Sequence, residues 1–202
     1  KTIVTRNIGI YSGTFDPIHI GHNAFANEAM RELELNAIIL LPEAQPRGKL
    51  HVTDIYHRVE LIKRAIRGNT KLQVLTLPSK QFTVAQTLAE LRSHFKDAHF
   101  TFLIGSDVVY TFTYRWDSLE VLLKEATFAV GLRSGDSQDR LETIFKKLES
   151  QYKLPILRRY IITKNTHITS SQFRQGKIDT THLPHPAMAS YIQENRLYTN
   201  LI

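Results

Sequence analysis

Two histidines three residues apart, His19 and His22, stand in the segment Ser12-Gly13-Thr14-Phe15-Asp16-Pro17-Ile18-His19-Ile20-Gly21-His22. The segment follows the apolar run Ile8 to Tyr11 and opens into a helical pattern. A glycine-containing turn leading from a strand into a helix N-terminus offers unpaired backbone N–H groups to phosphate, and Gly21 lets a ligand approach the backbone closely. Two other readings fit the same spacing. Histidines three apart can share a zinc ion, although no third Asp, Glu or His is placed beside them by sequence. The pair can also be incidental to an ordinary helix start.

A second group of polar residues lies near the C-terminal end. Thr169 followed three residues later by Gln172 fits a capping box, which puts Ser170 and Ser171 in a first helical turn whose N–H groups are unpaired and whose dipole is positive. Arg174 adds a fixed positive charge one turn on. Such a turn can hold phosphate groups, and it can equally be a plain surface helix with a good cap.

The elements that would position these residues alternate along the chain. Short apolar runs (Ile8 to Tyr11, Ile38 to Leu41, Leu72 to Leu75, Phe100 to Ile104, Thr127 to Leu132, and a late one near Tyr160 to Ile162) are separated by amphipathic stretches. Those stretches carry Phe25, Ala29 and Leu33; Val59, Ile62 and Ile66; Val84, Leu88, Leu91 and Phe95; Leu119 to Leu123; and Leu141, Ile144, Phe145 and Leu148. Strands that read as continuous apolar runs are buried on both faces, so the alternation predicts a doubly wound parallel sheet, a Rossmann-like α/β fold. One domain over residues 1–202 is expected, with the Rossmann-like core at about 1–135 and a small helical C-terminal part at about 136–202. In the strand order 3-2-1-4-5, strands 1 and 4 are neighbours at the switch point, so the His19/His22 turn and the Gly105 to Asp107 turn would meet at one crevice.

Composition narrows the classes. The absence of cysteine excludes disulfide scaffolds, thiolate zinc sites and iron–sulfur clusters. With 42% apolar and 22% charged residues the chain reads as globular, and its apolar runs are far too short to span a bilayer. No apolar block of a secretory signal is present at the N-terminus given, so a cytoplasmic protein without a membrane partner is expected. The net charge of +7 favours anionic partners, but the basic residues are dispersed. Arg58, Lys63, Arg64 and Arg67 on one helix, and Arg158 and Arg159 flanking a strand, read as solvated faces rather than a nucleic-acid footprint.

The stretch Gly13 to His22 resembles the Gly-Thr-Phe-Asp-Pro-x-His-x-Gly-His signature of the HxGH nucleotidyltransferases, and most of the chain is similar to the bacterial nicotinate mononucleotide adenylyltransferases. Phe102-Leu103-Ile104-Gly105-Ser106-Asp107 resembles their Phe-Ile-Ile-Gly-x-Asp, and Trp116-Asp117-Ser118-Leu119-Glu120 their Trp segment. Arg133-Ser134-Gly135 resembles Arg-Pro-Gly, and Ile168-Thr169-Ser170-Ser171-Gln172-Phe173-Arg174 the second nucleotide motif, Ile-Ser-x-Thr-x-Ile-Arg. The end of the chain, with Leu183-Pro184, Tyr191-Ile192 and Leu197-Tyr198, is similar as well.

The resemblance implies transfer of the adenylyl group of ATP to nicotinate mononucleotide, with release of pyrophosphate and with Mg²⁺ bound mainly through the ATP phosphates. It implies catalytic roles for His19, His22 and Arg174. Gly13, Thr14, Phe15, Gly21, Gly105, Asp107, Ile168, Ser170 and Ser171 would bind ATP, and Lys49, Thr83, Thr87, Trp116 and Arg133 would bind the acceptor. Asp107 could accept from ribose hydroxyls or simply cap a helix, and Trp116 could stack on the pyridine ring or be a core aromatic. Neither a protein metal site nor a nucleic-acid partner is expected, and a homo-oligomer is left open.

The chain departs from the family at the acceptor side. Pro46-Arg47-Gly48-Lys49 stands where the family has Pro-Pro-His-Lys, Ser12 replaces a glycine, and Phe82-Thr83 places an aromatic-Thr pair one residue early. Another HxGH adenylyltransferase, such as phosphopantetheine adenylyltransferase, is the alternative enzyme. A class I aminoacyl-tRNA synthetase, which shares the histidine element, would need tRNA-binding domains and a Lys-Met-Ser-Lys-Ser loop that this chain does not show. A basic RNA-binding module on the same fold is the alternative from another class, but it leaves the converging motifs unexplained.

Overall fold

The computed structural model describes residues 5–114, 116–177 and 179–199. Strands β1 (Asn7–Gly13), β2 (Ala37–Pro42), β3 (Leu72–Val74), β4 (His99–Gly105), β5 (Ala126–Gly131) and β6 (Arg158–Ile161) form one sheet in the order β3-β2-β1-β4-β5-β6. Each neighbouring pair is parallel. This is the expected doubly wound arrangement with a sixth strand added at one edge. Because β6 pairs with β5, the sheet continues to Ile161, past the core boundary expected near residue 135.

Helices α1 (Ile20–Glu32), α2 (Ile55–Ala65), α3 (Val84–His94), α4 (Ser106–Thr111), α5 (Leu119–Glu125), α6 (Gln138–Tyr152), α7 (Ser170–Arg174) and α8 (Ala187–Glu194) cover the two faces. One face packs Ile8, Ile10, Phe100, Phe102 and Phe128 against residues of α3, α5 and α6 such as Leu91, Leu122 and Phe145. Under the other face lie α1, α2, α7 and α8, with Ile18, Ile62, Phe173 and Met188 packed together. All of β2, Ala-Ile-Ile-Leu-Leu-Pro, is buried because both its faces are covered, which is why it reads as an unbroken apolar run. Among the described residues no helix is long and apolar enough to cross a membrane.

Some local expectations are corrected. The buried face of α2 is Arg58, Leu61, Ile62 and Ala65, one residue around from Val59, Ile62 and Ile66. Arg58 is fully buried rather than part of a solvated face. Both Arg158 and Arg159 lie within β6 and are paired: Arg158 holds Glu142 with Nε and Nη2 at 2.6 and 2.8 Å, and Arg159 reaches Glu32 at 3.2 Å. The short α4 and the C-terminal α8 were not apparent in the sequence pattern.

Candidate active site

The turn from β1 to α1 builds the head of the site. His19 is the N-cap residue of α1, with extended backbone, and its Nδ1 accepts from the Gly21 N–H at 3.0 Å. His22, in the same first turn, returns the bond: its Nδ1 accepts from the His19 N–H at 3.1 Å. This is a capping box made of two imidazoles, where Ser/Thr and Glu/Gln usually serve. An imidazole that accepts at Nδ1 carries its proton on Nε2, so both rings are neutral and present an Nε2–H donor. Burial, aided by the Arg133 charge, lowers the His19 pKa to about 4. Burial and then the neighbouring His19, Arg133 and Lys49 hold His22 well below its ordinary value. Gly21 is required here because a Cβ would stand 2.8 Å from His19 Cε1 and 3.2 Å from the Asn165 carbonyl.

The loop before His19 is held from three sides. Arg58 donates from Nε to Thr53 O (2.6 Å), from Nη1 to Thr14 O and Glu43 O (both 2.8 Å), and from Nη2 to Ala44 O (3.2 Å). Asp16, also buried, accepts from Thr53 N at 3.1 Å and from the Tyr198 hydroxyl at 2.7 Å. From α7, Ser170 Oγ donates to Pro17 O and Arg174 Nη1 to Asp16 O, each at 2.8 Å. The C-terminal segment is thereby locked onto the histidine turn. Sequence reasoning missed Arg58, Asp16 and Tyr198 as parts of this frame. For Arg58 the signal was present, since Arg58, Leu61, Ile62 and Ala65 share one helical face.

The expected capping box of α7 is formed, with Gln172 N donating to Thr169 Oγ1 at 3.3 Å and Thr169 N to Gln172 Oε1 at 2.9 Å. The N–H groups of Ser170 and Ser171 have no intrahelical acceptor, and both residues line the crevice. At the end of β4, Gly105 lets the Asp107 carboxylate fold back close to the backbone, since a Cβ there would fall 2.4 Å from Asp107 Oδ1 and the side chain would have to turn away. Arg133, following β5, stands 3.5 Å from Asp107 Oδ1, both side chains being largely exposed. Asp136, unforeseen from sequence, ties the two turns by accepting from Ser106 Oγ and from Arg133 N.

These elements enclose a crevice of about 340 Å³ at the carboxyl ends of β1, β4 and β5. Of the residues expected to bind ATP or act in catalysis, Thr14, Phe15, His19, Gly21, His22, Gly105, Ile168, Ser170, Ser171 and Arg174 line it. Gly13 lies behind Phe15, whose ring a Cβ there would meet at 3.1 Å, and Asp107 stands at the rim beside Arg133. Lys49 and Arg133, expected to bind the acceptor, also line this first crevice, with Lys49 Nζ 2.8 Å from Thr14 Oγ1.

A second pocket of about 360 Å³ contains two of the three other residues expected to bind the acceptor, Thr83 and Trp116, together with Arg47, Val84, Ala85 and Asp117. The loop Arg47 to Lys49 runs from one pocket to the other. Trp116 is half-buried, edge-on to Phe112 and Phe82, with its indole N–H on Thr111 Oγ1 at 2.7 Å. Thr87 is buried outside this pocket, its hydroxyl oxygen accepting from Thr83 N at 3.0 Å. The Phe82 N–H is likewise taken, by Glu43 Oε2 at 3.1 Å. Thr83, the N-cap of α3, makes no side-chain cap bond, so the first turn of α3 presents the Val84 and Ala85 N–H groups to the pocket.

Among the described residues no three His, Asp or Glu side chains group to hold a metal ion. The crevice sets neutral imidazoles and the cations of Lys49, Arg133 and Arg174 around its walls, a donor set matched to a polyphosphate. A divalent ion fits here as the counterion of such a ligand, held by phosphate oxygens and water.

The family model described as cytidylyltransferase-like matches residues 10–176. A probable nicotinate-nucleotide adenylyltransferase of Thermomicrobium roseum is 34% identical over 147 residues, covering 70% of this chain and 67% of that one. One from Bacillus licheniformis is 30% identical over 201 residues, covering 96% and 98%. Among solved structures, a Plasmodium falciparum nicotinic acid mononucleotide adenylyltransferase complexed with NaAD superposes with a TM-score of 0.75 at 24% identity, covering 96% of this chain and 98% of that one. At that identity the superposition speaks for the fold.

Proposed function

The chain belongs to the cytidylyltransferase-like family and within it to the nicotinate-nucleotide adenylyltransferases, and from this membership we propose that it transfers the adenylyl group of ATP to nicotinate mononucleotide. The products are nicotinate adenine dinucleotide and pyrophosphate, a step of NAD biosynthesis. A phosphate oxygen of the mononucleotide attacks the α-phosphorus. The bond from that phosphorus to the bridging oxygen breaks, and its electron pair leaves with pyrophosphate. The attacking oxygen is already ionised at neutral pH, so no general base is needed. Catalysis lies in holding two anions together and stabilising the charge that moves to the leaving group.

The observation that carries this reading is the mutual Nδ1 capping of His19 and His22, which aims two neutral Nε2–H donors into a crevice lined by Lys49, Arg133 and Arg174. In this reading His22 stands nearest the reacting phosphorus and His19 beside it. Arg174, with one nitrogen on Asp16 O, turns the rest of its fork with the Ser170 and Ser171 N–H groups to the leaving phosphates. Asp107 takes the ribose, and Trp116 faces the pyridine ring. ATP enters as its magnesium complex. The whole chain acts as one nucleotidyltransferase domain in the cytoplasm.

Pyrophosphate release with ATP and Mg²⁺ tests this against nicotinate mononucleotide, nicotinamide mononucleotide and phosphopantetheine. Turnover should be fastest with the first. Release with phosphopantetheine alone, or with none of the three, overturns the assignment.

A further inference from the structure

Tyr11, with Phe15 and Phe25, forms the aromatic lining of the crevice beside the two histidines, and its hydroxyl has no hydrogen-bond partner among the described residues. Its ring is packed edge-on to Phe15 at 5.2 Å and Phe25 at 5.4 Å, and lies 6.0 Å from His22. It therefore sits beneath the first turns of α1, fixed by three neighbours. A tyrosine so enclosed normally gives its O–H to a protein acceptor. None of the described residues accepts from it or donates to it, yet the side chain lines the crevice rather than a sealed core. Tyr11 shares this crevice with Gly105 and Arg133, the two residues that stand against Asp107 at the rim. Burial raises its pKa, which keeps the proton in place as a donor.

Phe would fill the same hole, so the packing alone does not account for the hydroxyl, which opens into the crevice instead of being sealed in the core. A ligand at the rim beside Asp107 would meet it there. The carboxylate there can only accept, and hence takes a hydroxyl's proton; the oxygen of that hydroxyl still has lone pairs to be met by a donor. The Tyr11 O–H supplies one.

Resting on the assignment of ATP to this crevice, we propose that Tyr11 is a positioning residue for the nucleotide, its hydroxyl donating to a ribose hydroxyl oxygen whose proton is directed to Asp107. The pair would clamp the sugar from both sides and so fix the α-phosphate under His22.

The test is direct ATP binding by calorimetry with Tyr11→Phe, which keeps the ring and its packing. The variant should weaken ATP about five- to tenfold while its Tm stays within about 2 °C of the parent. Repeating both titrations with 2′-deoxy-ATP and 3′-deoxy-ATP separates positioning from packing. With one of these analogues the parent should already be weakened, and Tyr11→Phe should cost little more, because the contact is gone from both. Equal Kd for ATP in parent and variant overturns the proposal while leaving the adenylyl-transfer reading intact. So does the same fold-loss for ATP and both deoxy analogues. A parent that binds no ATP overturns both.

Discussion

His19 and His22 cap one helix reciprocally, each imidazole accepting at Nδ1 from a backbone N–H of the same turn, with the two rings 3.9 Å apart. Protonation of either ring at Nδ1 would remove an acceptor, and protonation of both would place two like charges side by side. The pair is thus a structural cap whose stability requires the protonation state that also presents the Nε2–H donors.

The folded pKa of His19 is depressed, to about 4 against 6.5 when unfolded, so the unfolded chain binds more protons between those values. Stability from the pair should be fully present above about pH 6.5 and fall as pH drops through about 4. Thermal melts across this window should show Tm declining, and imidazole NMR should show Nε2-protonated tautomers with no titration near 6.5. A His19 resonance titrating at its ordinary value would contradict the buried cap. Glu142, lowered to about 2 by the Arg158 hydrogen bonds, loses its contribution as pH falls from 4.5 through 2, so its effect starts at lower pH.

His22→Asn separates the two duties of the second histidine. The Asn side-chain oxygen can still accept from His19 N, whereas the donor at the Nε2 position is lost. kcat should fall by about 10²-fold, the usual loss for one preorganised donor at a reacting centre. His22→Ala should lose as much activity and a further ~1 kcal/mol of stability, the typical worth of a cap. Steady-state kinetics beside urea unfolding distinguish the variants; parental kcat in His22→Asn would remove His22 from the chemistry.

Arg58→Met should be among the most damaging changes outside the crevice. It strips four carbonyls, those of Thr14, Glu43, Ala44 and Thr53, of a buried partner. Leaving several buried acceptors unmet should cost about 3 kcal/mol or more in urea unfolding. Arg58→Lys should recover only part of this, because an ammonium cannot reproduce the fork. A loss below about 1 kcal/mol in Arg58→Met would mean that water replaces the guanidinium.

The contrast between His22 and Arg58 shows what was legible in the sequence. The β-α alternation carried the sheet order through β5, because buried parallel strands leave unbroken apolar runs such as Ile38 to Leu41. Local motifs were equally readable: the Thr169–Gln172 box and the His19 turn involve residues three apart. Arg58 misled because its neighbours Lys63 and Arg67 are indeed solvent-facing, and charge outweighed periodicity; Arg64, half-buried over the Tyr191 ring, departs from the solvated face as well. The Tyr198 bond to Asp16 spans 182 residues, and no local pattern foretells it. That Lys49 and Arg133 share the first crevice with the histidines was not legible, because loop residues are placed by contacts that sequence spacing does not encode.

In the proposed reading the second pocket takes the acceptor ring, and its lining sets which ring is preferred. Of the backbone N–H groups in the Phe82 to Thr87 turn, those of Phe82 and Thr83 are bonded to Glu43 and Thr87. The donors that remain belong to Val84 and Ala85, at the uncapped positive end of α3, with the Arg47 guanidinium on the same wall. A pyridine carboxylate suits them. A carboxamide would put an NH₂ against donors, and one unpaired amide in a closed pocket costs roughly 1 to 3 kcal/mol. Asp117 also lines the pocket and could accept from an amide; it and Arg47 are both exposed, where their charges are screened alike, so the N–H groups of α3 weigh most. kcat/KM for nicotinate mononucleotide should therefore exceed that for nicotinamide mononucleotide by at least about tenfold. Arg47→Gln should narrow the gap by lowering the first value. Trp116→Ala should raise KM for both rings alike, since a stacking face does not choose between their substituents. Because Trp116 also packs on Phe112 and binds Thr111, Trp116→Phe is the control that keeps an aromatic face. Equal kcat/KM for the two mononucleotides, or an unchanged KM in Trp116→Ala, would place acceptor recognition elsewhere than in this pocket.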